Sequence, residues 1–456
     1  MAGIGFELRK LLRKDTLSGL LQAYAFAGII GSGPWILSIV GILAIGLLSH
    51  AVVVPSFLVT QFQTSVTYLI TISLVLTGGL QLAFTRFVSD RLFEHSDDSV
   101  VPNLNGILLM VLSGAAVFSM SSLFAVFSDL GVIYRLLLMA GFMLLCAIWI
   151  ITIFLSGMRR YQAIVALFAL GYSITVALAL LLRPFGLEGL MAGFVIGHCV
   201  LLAGMWLLVV RDFRPQRFIA FDFLKPGALY PSLIIIGLCY NLGLWADKLI
   251  FWTFPPTSMT VVGGLRASLI YDLPVFLAYL SIIPGMAVFM VRIETDFAEY
   301  YEKFYGAVRA GGSLSYIEAM RDEMVFAIRQ GLAEIGKIQT LAVLITFVAG
   351  PSLLDLLGIS QLYLPLLHIQ VIGAGLQVVL LSVLNVFFYL DQRRTILVVC
   401  IQFLILNVVL TTLSLRLGAA FYGYGFTLAV LITLGTALML LDRKLSRLEY
   451  ETFMLQ

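Results

Sequence analysis

The stretch Leu366–Leu390, LLHIQVIGAGLQVVLLSVLNVFFYL, contains no Asp, Glu, Lys or Arg, and it decides the fold class. At 1.5 Å rise per residue, roughly 20 apolar residues carry a helix across the hydrocarbon of a bilayer. A run this long and this apolar exceeds a buried strand and has no water-facing side. Comparable runs recur at Leu20–Ser49, Val59–Phe87, Leu104–Phe127, Tyr134–Ser156, Ala163–Leu182, Glu188–Val210, Tyr230–Phe254, Leu269–Val291, Ile338–Leu357, Ile396–Leu415 and Tyr422–Leu441, split by short charged loops. Across the 456 residues, 61% are apolar and 12% charged, where a soluble domain keeps about a quarter of its residues charged. The expected fold is therefore an all-α polytopic membrane protein with about twelve transmembrane helices. A transmembrane barrel does not fit, because barrel strands alternate apolar and polar residues and these segments are apolar on every side.

The distribution of the 28 Lys and Arg sets the expected orientation. With the N-terminus inside, Arg135, Arg183, Arg266 and Arg416 fall outside and Lys248 lies within a span. All the others, among them Arg9, Lys10, Arg86, Arg91, Arg159, Arg160, Arg211, Arg217, Lys225, Arg393, Arg394 and Arg443, fall on the cytoplasmic side. This asymmetry follows the positive-inside rule and, with an even number of spans, places both termini in the cytoplasm. The formal charge of +3 is thus a topology signal, and no motif points to nucleic acid. Residues Gly3–Asp15 read as a basic amphipathic helix lying on the inner leaflet. They do not read as a signal peptide, since no small-residue cleavage site follows.

Internal correspondence suggests duplication. Gly186 and Gly193-Phe194 open the sixth span, Gly418 and Gly425-Phe426 open the twelfth, and Arg211 and Arg443 close them at the same offset. Arg159-Arg160 and Arg393-Arg394 end the fourth and tenth spans. The expected organisation is a cytoplasmic N-terminus (1–19), a six-helix bundle (20–210), a cytoplasmic linker (211–227), a second six-helix bundle (228–441) and a cytoplasmic C-terminus (442–456). Parallel repeats of this kind place a transport path in the space between bundles.

Candidate functional residues lie where polar groups or helix breakers interrupt the spans. Gly28, Gly31, Ser32, Gly33 and Pro34 are expected to bend or break the first span, and Gly237, Asn241 and Gly243 the seventh. Close packing by small residues, as in Gly28-x-x-x-Ser32, is the alternative. Pro284-Gly285 gives a third candidate kink. Asp247 and Lys248 stand out most, since a charge at a helix centre costs about 2.5–3.5 kcal/mol. Adjacent residues project roughly 100° apart on a helix, so the two are not expected to pair well. Asn241, Trp245 and Lys248 share one face of the helix, and Tyr240, Gly243 and Asp247 another. A polar and aromatic face suits a sugar, whose hydroxyls hydrogen-bond and whose ring faces stack. An interfacial cluster at the outer boundary is the alternative. Trp35 and Tyr24 are candidates to face the same path, and Arg86 to contact phosphate or polymer at the inner mouth or to act as a topology anchor.

The loop Arg292–Lys337 reads as two cytoplasmic helices around Gly311-Gly312. Ile317, Met320, Met324, Ile328 and Ile335 form an apolar stripe that must pack on the protein's own underside or on a cytoplasmic partner. His198 and His368 read as hydrogen-bonded packing residues. Cys146, Cys199, Cys239 and Cys400 are scattered through spans without a C-x-x-C pair, which argues against disulfides or a cysteine metal site. No cofactor, metal site or catalytic set is expected: there is no nucleotide loop, no H-E-x-x-H and no nucleophile triad spacing.

The span number, the Arg ending the second span and the Gly-rich entries to the sixth and twelfth resemble the multidrug/oligosaccharidyl-lipid/polysaccharide flippase superfamily. The opening MAGIGFELRKLL and the stretch Ala27–Trp35, AGIIGSGPW, are more narrowly similar to the PelG family of Pel exopolysaccharide transporters. The resemblance implies a V-shaped pair of bundles in a Gram-negative inner membrane. It also implies export of an N-acetylgalactosamine-rich polymer and a complex with PelF-like glycosyltransferase, PelD-like cyclic-di-GMP receptor and PelE-like scaffold subunits. Three rivals stay open: a lipid-linked oligosaccharide flippase, which needs a basic cavity for diphosphate, a drug/cation antiporter using Asp247, and a noncatalytic scaffold for a synthase. A membrane glycosyltransferase is disfavoured, since the outer loop His50–Thr60 has no carboxylate.

Overall fold

The computed structural model describes residues 22, 24, 26–28, 37–38, 40–41, 45, 56–127, 130–157, 160–213 and 217–454. The expectations placed on residues 1–19, on Gly31, Gly33 and Pro34, and on Trp35 lie outside the described residues. Tyr24 and Gly28 are helical. Among the described residues, 10 helical stretches are long and apolar enough to cross a membrane. By compactness the chain falls into two units. One comprises Pro34–Trp245 and Phe251–Ser268, the other Met1–Gly33, Ala246–Ile250 and Leu269–Gln456. Compactness is a different property from sequence duplication, and the six-plus-six division at 211–227 remains a proposal about the repeat.

The first unit contains α1 (Ser56–Phe93), α2 (Val100–Val126), α3 (Val132–Gly157), α4 (Tyr161–Leu182), α5 (Gly186–Asp212) and most of α6 (Pro231–Thr253). Strands β1 (Met259–Val262) and β2 (Leu265–Ala267) pair as an antiparallel hairpin. The hairpin is fastened to α1, where the Gln61 amide donates to the Val261 carbonyl at 3.0 Å and the Tyr68 hydroxyl to the Arg266 carbonyl at 2.8 Å. Phe62, Phe84, Phe154, Phe168 and Phe194 fill the core. The hydroxyls of Ser65, Thr71, Thr77 and Thr85 on α1 each donate to the carbonyl four residues back, at 2.7 Å. That bond lets a hydroxyl-rich helix sit in hydrocarbon without stranded donors.

The second unit contains α7 (Leu269–Leu280), α8 (Ile283–Val291), a π-helical turn (Arg292–Phe297), α9 (Ala298–Arg309), α10 (Leu314–Leu356), α11 (Leu364–Tyr389), α12 (Arg393–Leu417), α13 (Tyr424–Ser446) and α14 (Leu448–Met454). Two helices flank Gly311-Gly312 in the segment Arg292–Lys337, but they are continuous with the neighbouring spans and do not form a separate loop. The eighth span continues through the π turn into α9, and the second amphipathic helix is the first half of α10. No proline stands between Leu314 and Pro351, the isolated glycines there are tolerated, and charged side chains by themselves do not stop a helix. At 43 residues, α10 is about 65 Å long, roughly twice the hydrocarbon thickness. Its stripe is also corrected as a free docking face: Ile317, Met324, Ile328 and Ile335 are buried within this chain, and Met320 is half-buried.

Both units use the same close helix contact. A Cβ at Gly193 of α5 would overlap the Ala179 backbone of α4, and one at Gly425 of α13 would overlap the Thr411 backbone of α12. Ala179 and Thr411 are separated by the same offset as Gly193 and Gly425. Gly186 (φ 68°) and Gly418 (φ 100°) turn the chain into these hairpins in a conformation that L side chains rarely adopt. In membranes such small-residue contacts drive helix association, because lipid tails compete with apolar side chains. Gly193→Ala and Gly425→Ala should each destabilise the purified protein by about 2 kcal/mol or more. Gly435→Ala, which meets nothing within 4 Å, should stay within about 0.5 kcal/mol. Thermal unfolding in detergent checks all three.

Candidate translocation site

The polar centre of the second unit is built from one helix that carries a charge pair and from the buried polar residues facing it. Asp247 is fully buried and Lys248 nearly so. Contrary to the expectation from their helical positions, they pair: Lys248 Nζ lies 3.2 Å from both Asp247 carboxylate oxygens. The 100° separation describes where the side chains leave the helix. The four-methylene stem of lysine is long enough to curl its head back onto its neighbour.

The pair sits in a hydrogen-bonded shell. The Tyr271 hydroxyl donates to Asp247 Oδ2 at 2.7 Å, and the Gln370 amide donates to the Tyr271 oxygen at 2.7 Å. The Asn407 amide donates to Asp247 Oδ1 at 3.4 Å, and the Thr411 hydroxyl donates to Asn407 Oδ1 at 2.8 Å. Lys248 Nζ also lies over two rings, 5.2 Å from the Tyr279 centroid and 5.3 Å from that of Phe426. These cation–π contacts stabilise a desolvated ammonium. The Tyr279 hydroxyl donates to Gln377 at 2.9 Å. The result is a neutral cluster of hydroxyl, amide and aromatic groups around an internally compensated charge pair.

Asn241 and Trp245 pack within the first unit instead. The Asn241 amide donates to the Gly237 carbonyl at 2.9 Å and fills the space where a Cβ at Gly78 would be. Trp245 is buried, with its ring 6.4 Å from Trp252, which stacks on Tyr68 at 4.5 Å. The break expected near Gly243 is corrected, since α6 runs unbroken from Pro231 to Thr253. Its glycine serves packing: a Cβ at Gly237 would overlap the Gly78 backbone of α1.

A break does occur ahead of Pro284, between α7 and α8. Proline has no N–H and its ring crowds the carbonyl four residues back, which ends the preceding helix. The Gln339 amide of α10 donates to the Ser281 carbonyl at 3.1 Å, serving a backbone acceptor at the break. Arg86 is exposed, pairs with Asp90 at 3.1 Å and lies 5.8 Å from the Tyr230 ring centroid. It lies about two turns before the end of α1, which continues to Phe93. His198 is buried, 2.8 Å from the Phe194 carbonyl and 3.4 Å from the Tyr172 hydroxyl, and His368 stacks on Phe347. The four cysteines form no disulfide. Among the described residues, no group of three or more His, Cys, Asp and Glu is placed to hold a metal.

The sequence reading missed Tyr271, Tyr279, Gln370, Asn407 and Phe426. Gln370 and Asn407 were visible as amides inside largely apolar runs, alongside Gln377, Asn385 and Gln402, but spacing along one helix does not reveal which other helix faces it.

The fold is that of a multi-pass membrane transporter. A multidrug resistance MATE family transporter of the MOP superfamily, solved in an outward-facing conformation, matches with a TM-score of 0.67 and 16% identity over 99% of both chains. A variant of the Vibrio cholerae MATE transporter VcmN matches at 0.64 and 14% identity, over 97% of this chain and 98% of that one. A MOP superfamily transporter from Pyrococcus furiosus matches at 0.62 and 16% identity, over 93% and 96%. No curated protein matches the sequence. The family model for PelG, the exopolysaccharide exporter (EPS-E), matches residues 1–453, and the chain belongs to that family.

Removing one member of the buried pair should strand the other. Lys248→Met should destabilise the protein by about 3 kcal/mol or more, and adding Asp247→Asn should restore much of the loss. Chemical unfolding in detergent of the two single variants, the double variant and the parent measures the coupling.

Proposed function

We propose that this exopolysaccharide exporter carries an N-acetylgalactosamine-rich, Pel-type polymer from a cytoplasmic synthase across the bacterial inner membrane to the periplasm, for biofilm matrix formation. In this reading both termini face the cytoplasm. A PelF-like glycosyltransferase makes the polymer, and PelD-like cyclic-di-GMP receptor and PelE-like scaffold subunits complete the assembly. The exporter itself performs no bond chemistry. Asn241, Trp245, Asp247 and Lys248 contribute to the polymer path. The partner surface is left to residues other than the buried Ile317, Met324 and Ile328.

The observation that carries this reading is the compensated cluster around Asp247 and Lys248. A lipid-linked diphosphate needs uncommitted positive charge, and Lys248 is bound to Asp247 and enclosed by two rings. An antiporter that binds its cargo cation at Asp247 needs an uncommitted carboxylate, and Asp247 already accepts from Lys248, Tyr271 and Asn407. Tyrosine hydroxyls, amides and aromatic faces without net charge match an uncharged sugar chain.

Inverted inner-membrane vesicles containing this chain, its synthase partners and labelled UDP-N-acetylgalactosamine test the reading. New polymer should become protected from an added glycosidase only when this chain is present. Polymer made in equal amount but left wholly accessible, in sealed vesicles with the complex assembled, would contradict translocation and favour a scaffold.

A further inference from the structure

The segment Arg217–Lys225, RFIAFDFLK, lies between α5 and α6 and displays large apolar side chains. Phe218 is 68% exposed, Ile219 41%, Phe221 43% and Leu224 59%. Few water-facing loops of that length carry so many. The segment is nevertheless held in place. The Ala220 amide donates to the Pro102 carbonyl at 2.9 Å, and the Asn105 amide donates to the Phe218 carbonyl at 2.8 Å. The Asp222 backbone N–H donates to Asn103 Oδ1 at 2.8 Å, and Asn103 Nδ2 donates back to the Asp222 carboxylate at 3.1 Å. Hydrogen bonds from Lys225 and then Asn103 hold the Asp222 carboxyl below its usual range. Phe223 alone turns inward, buried against Phe84 and Phe87. A Cβ at Gly106 would overlap the Ala220 carbonyl, so glycine makes room for the strap.

These fastenings lie at the end of membrane helices. Asn103 and Asn105 are in the first two turns of α2, and Trp206 of α5 donates to Asn105 at 2.9 Å. Leu109, one helical turn beyond Asn105, is 48% exposed on a helix long and apolar enough to cross a membrane. Both ends of the strap are cationic, with Arg217 exposed and Lys225 exposed beside Asp222.

We infer that Arg217–Lys225 is an interfacial anchor. Phe218, Ile219, Phe221 and Leu224 insert at the acyl-chain boundary of one leaflet, and Arg217 and Lys225 meet the phosphates of anionic lipids. The occupant is lipid because the apolar surface continues onto α2 and the flanking charges have the sign that anionic headgroups attract. An apolar stripe with cationic flanks is the composition of segments that lie in the membrane interface.

The full-length protein in nanodiscs of phosphatidylethanolamine and phosphatidylglycerol tests this. Nitroxides are placed at Phe218→Cys or Phe221→Cys in a Cys199→Ser, Cys239→Ser background. They should collide with oxygen and be shielded from a water-soluble nickel chelate. A label at Glu323→Cys, on the exposed side of α10, serves as the aqueous reference. Labels that match that reference, or that are shielded from both reagents as under a protein partner, would overturn the anchor. In the second arm, the Arg217→Gln, Lys225→Gln variant should retain about two-fold less phosphatidylglycerol on purification, with phosphatidylethanolamine unchanged. Unchanged retention would overturn the headgroup contact. Displacement of retained lipid by excess inorganic phosphate would assign the charges to a free anion instead.

Discussion

Every feature described above answers one constraint: inside a bilayer no solvent is available to satisfy a polar group. The hydroxyls of α1 turn back to their own helix. The break before Pro284 is served by Gln339 from another helix. The one charge pair within α6 is compensated by its own members and then by hydrogen bonds from Tyr271 and Asn407, with Gln370 bonded in turn to Tyr271. A pair of unmatched charges would cost several kcal/mol on insertion, which the pairing and its hydrogen-bonded shell offset.

In the proposed polymer path, the chemistry of the cluster bears on what could pass it. A charge already compensated cannot act as the recognition element for an ion or a diphosphate without first being released. Its surroundings offer hydroxyls, amides and ring faces, the groups that hold sugars loosely through many weak contacts. Loose, repeated contact is what a processive path needs, because a polymer must advance by one residue after another without being trapped.

Much of the fold was legible in the sequence, because hydropathy over about twenty residues is a strong signal. The matched glycines at 193 and 425 were also legible, and their contacts with Ala179 and Thr411 give them the same packing role. The two helices around Gly311-Gly312 were legible from their amphipathic pattern, but their continuity with the neighbouring spans was not, because hydropathy marks where apolar character ends and not where a helix does. The pairing of Asp247 with Lys248 was misjudged because helical geometry fixes where side chains start and not where a long one ends. The residues that complete the site come from α7, α11, α12 and α13. Their convergence is a property of tertiary packing that no single helical period encodes.

The most direct test of the account is photocrosslinking during active synthesis. A photoreactive amino acid replaces Trp245 or Tyr279 in the assembled complex, with Val348, 84% exposed on α10, as the lipid-facing control. Labelled sugar is then followed onto the protein after illumination. The account predicts sugar adducts at positions 245 and 279 and none at 348. Adducts absent from both, or equal at all three, would contradict the assignment of these residues to the polymer path.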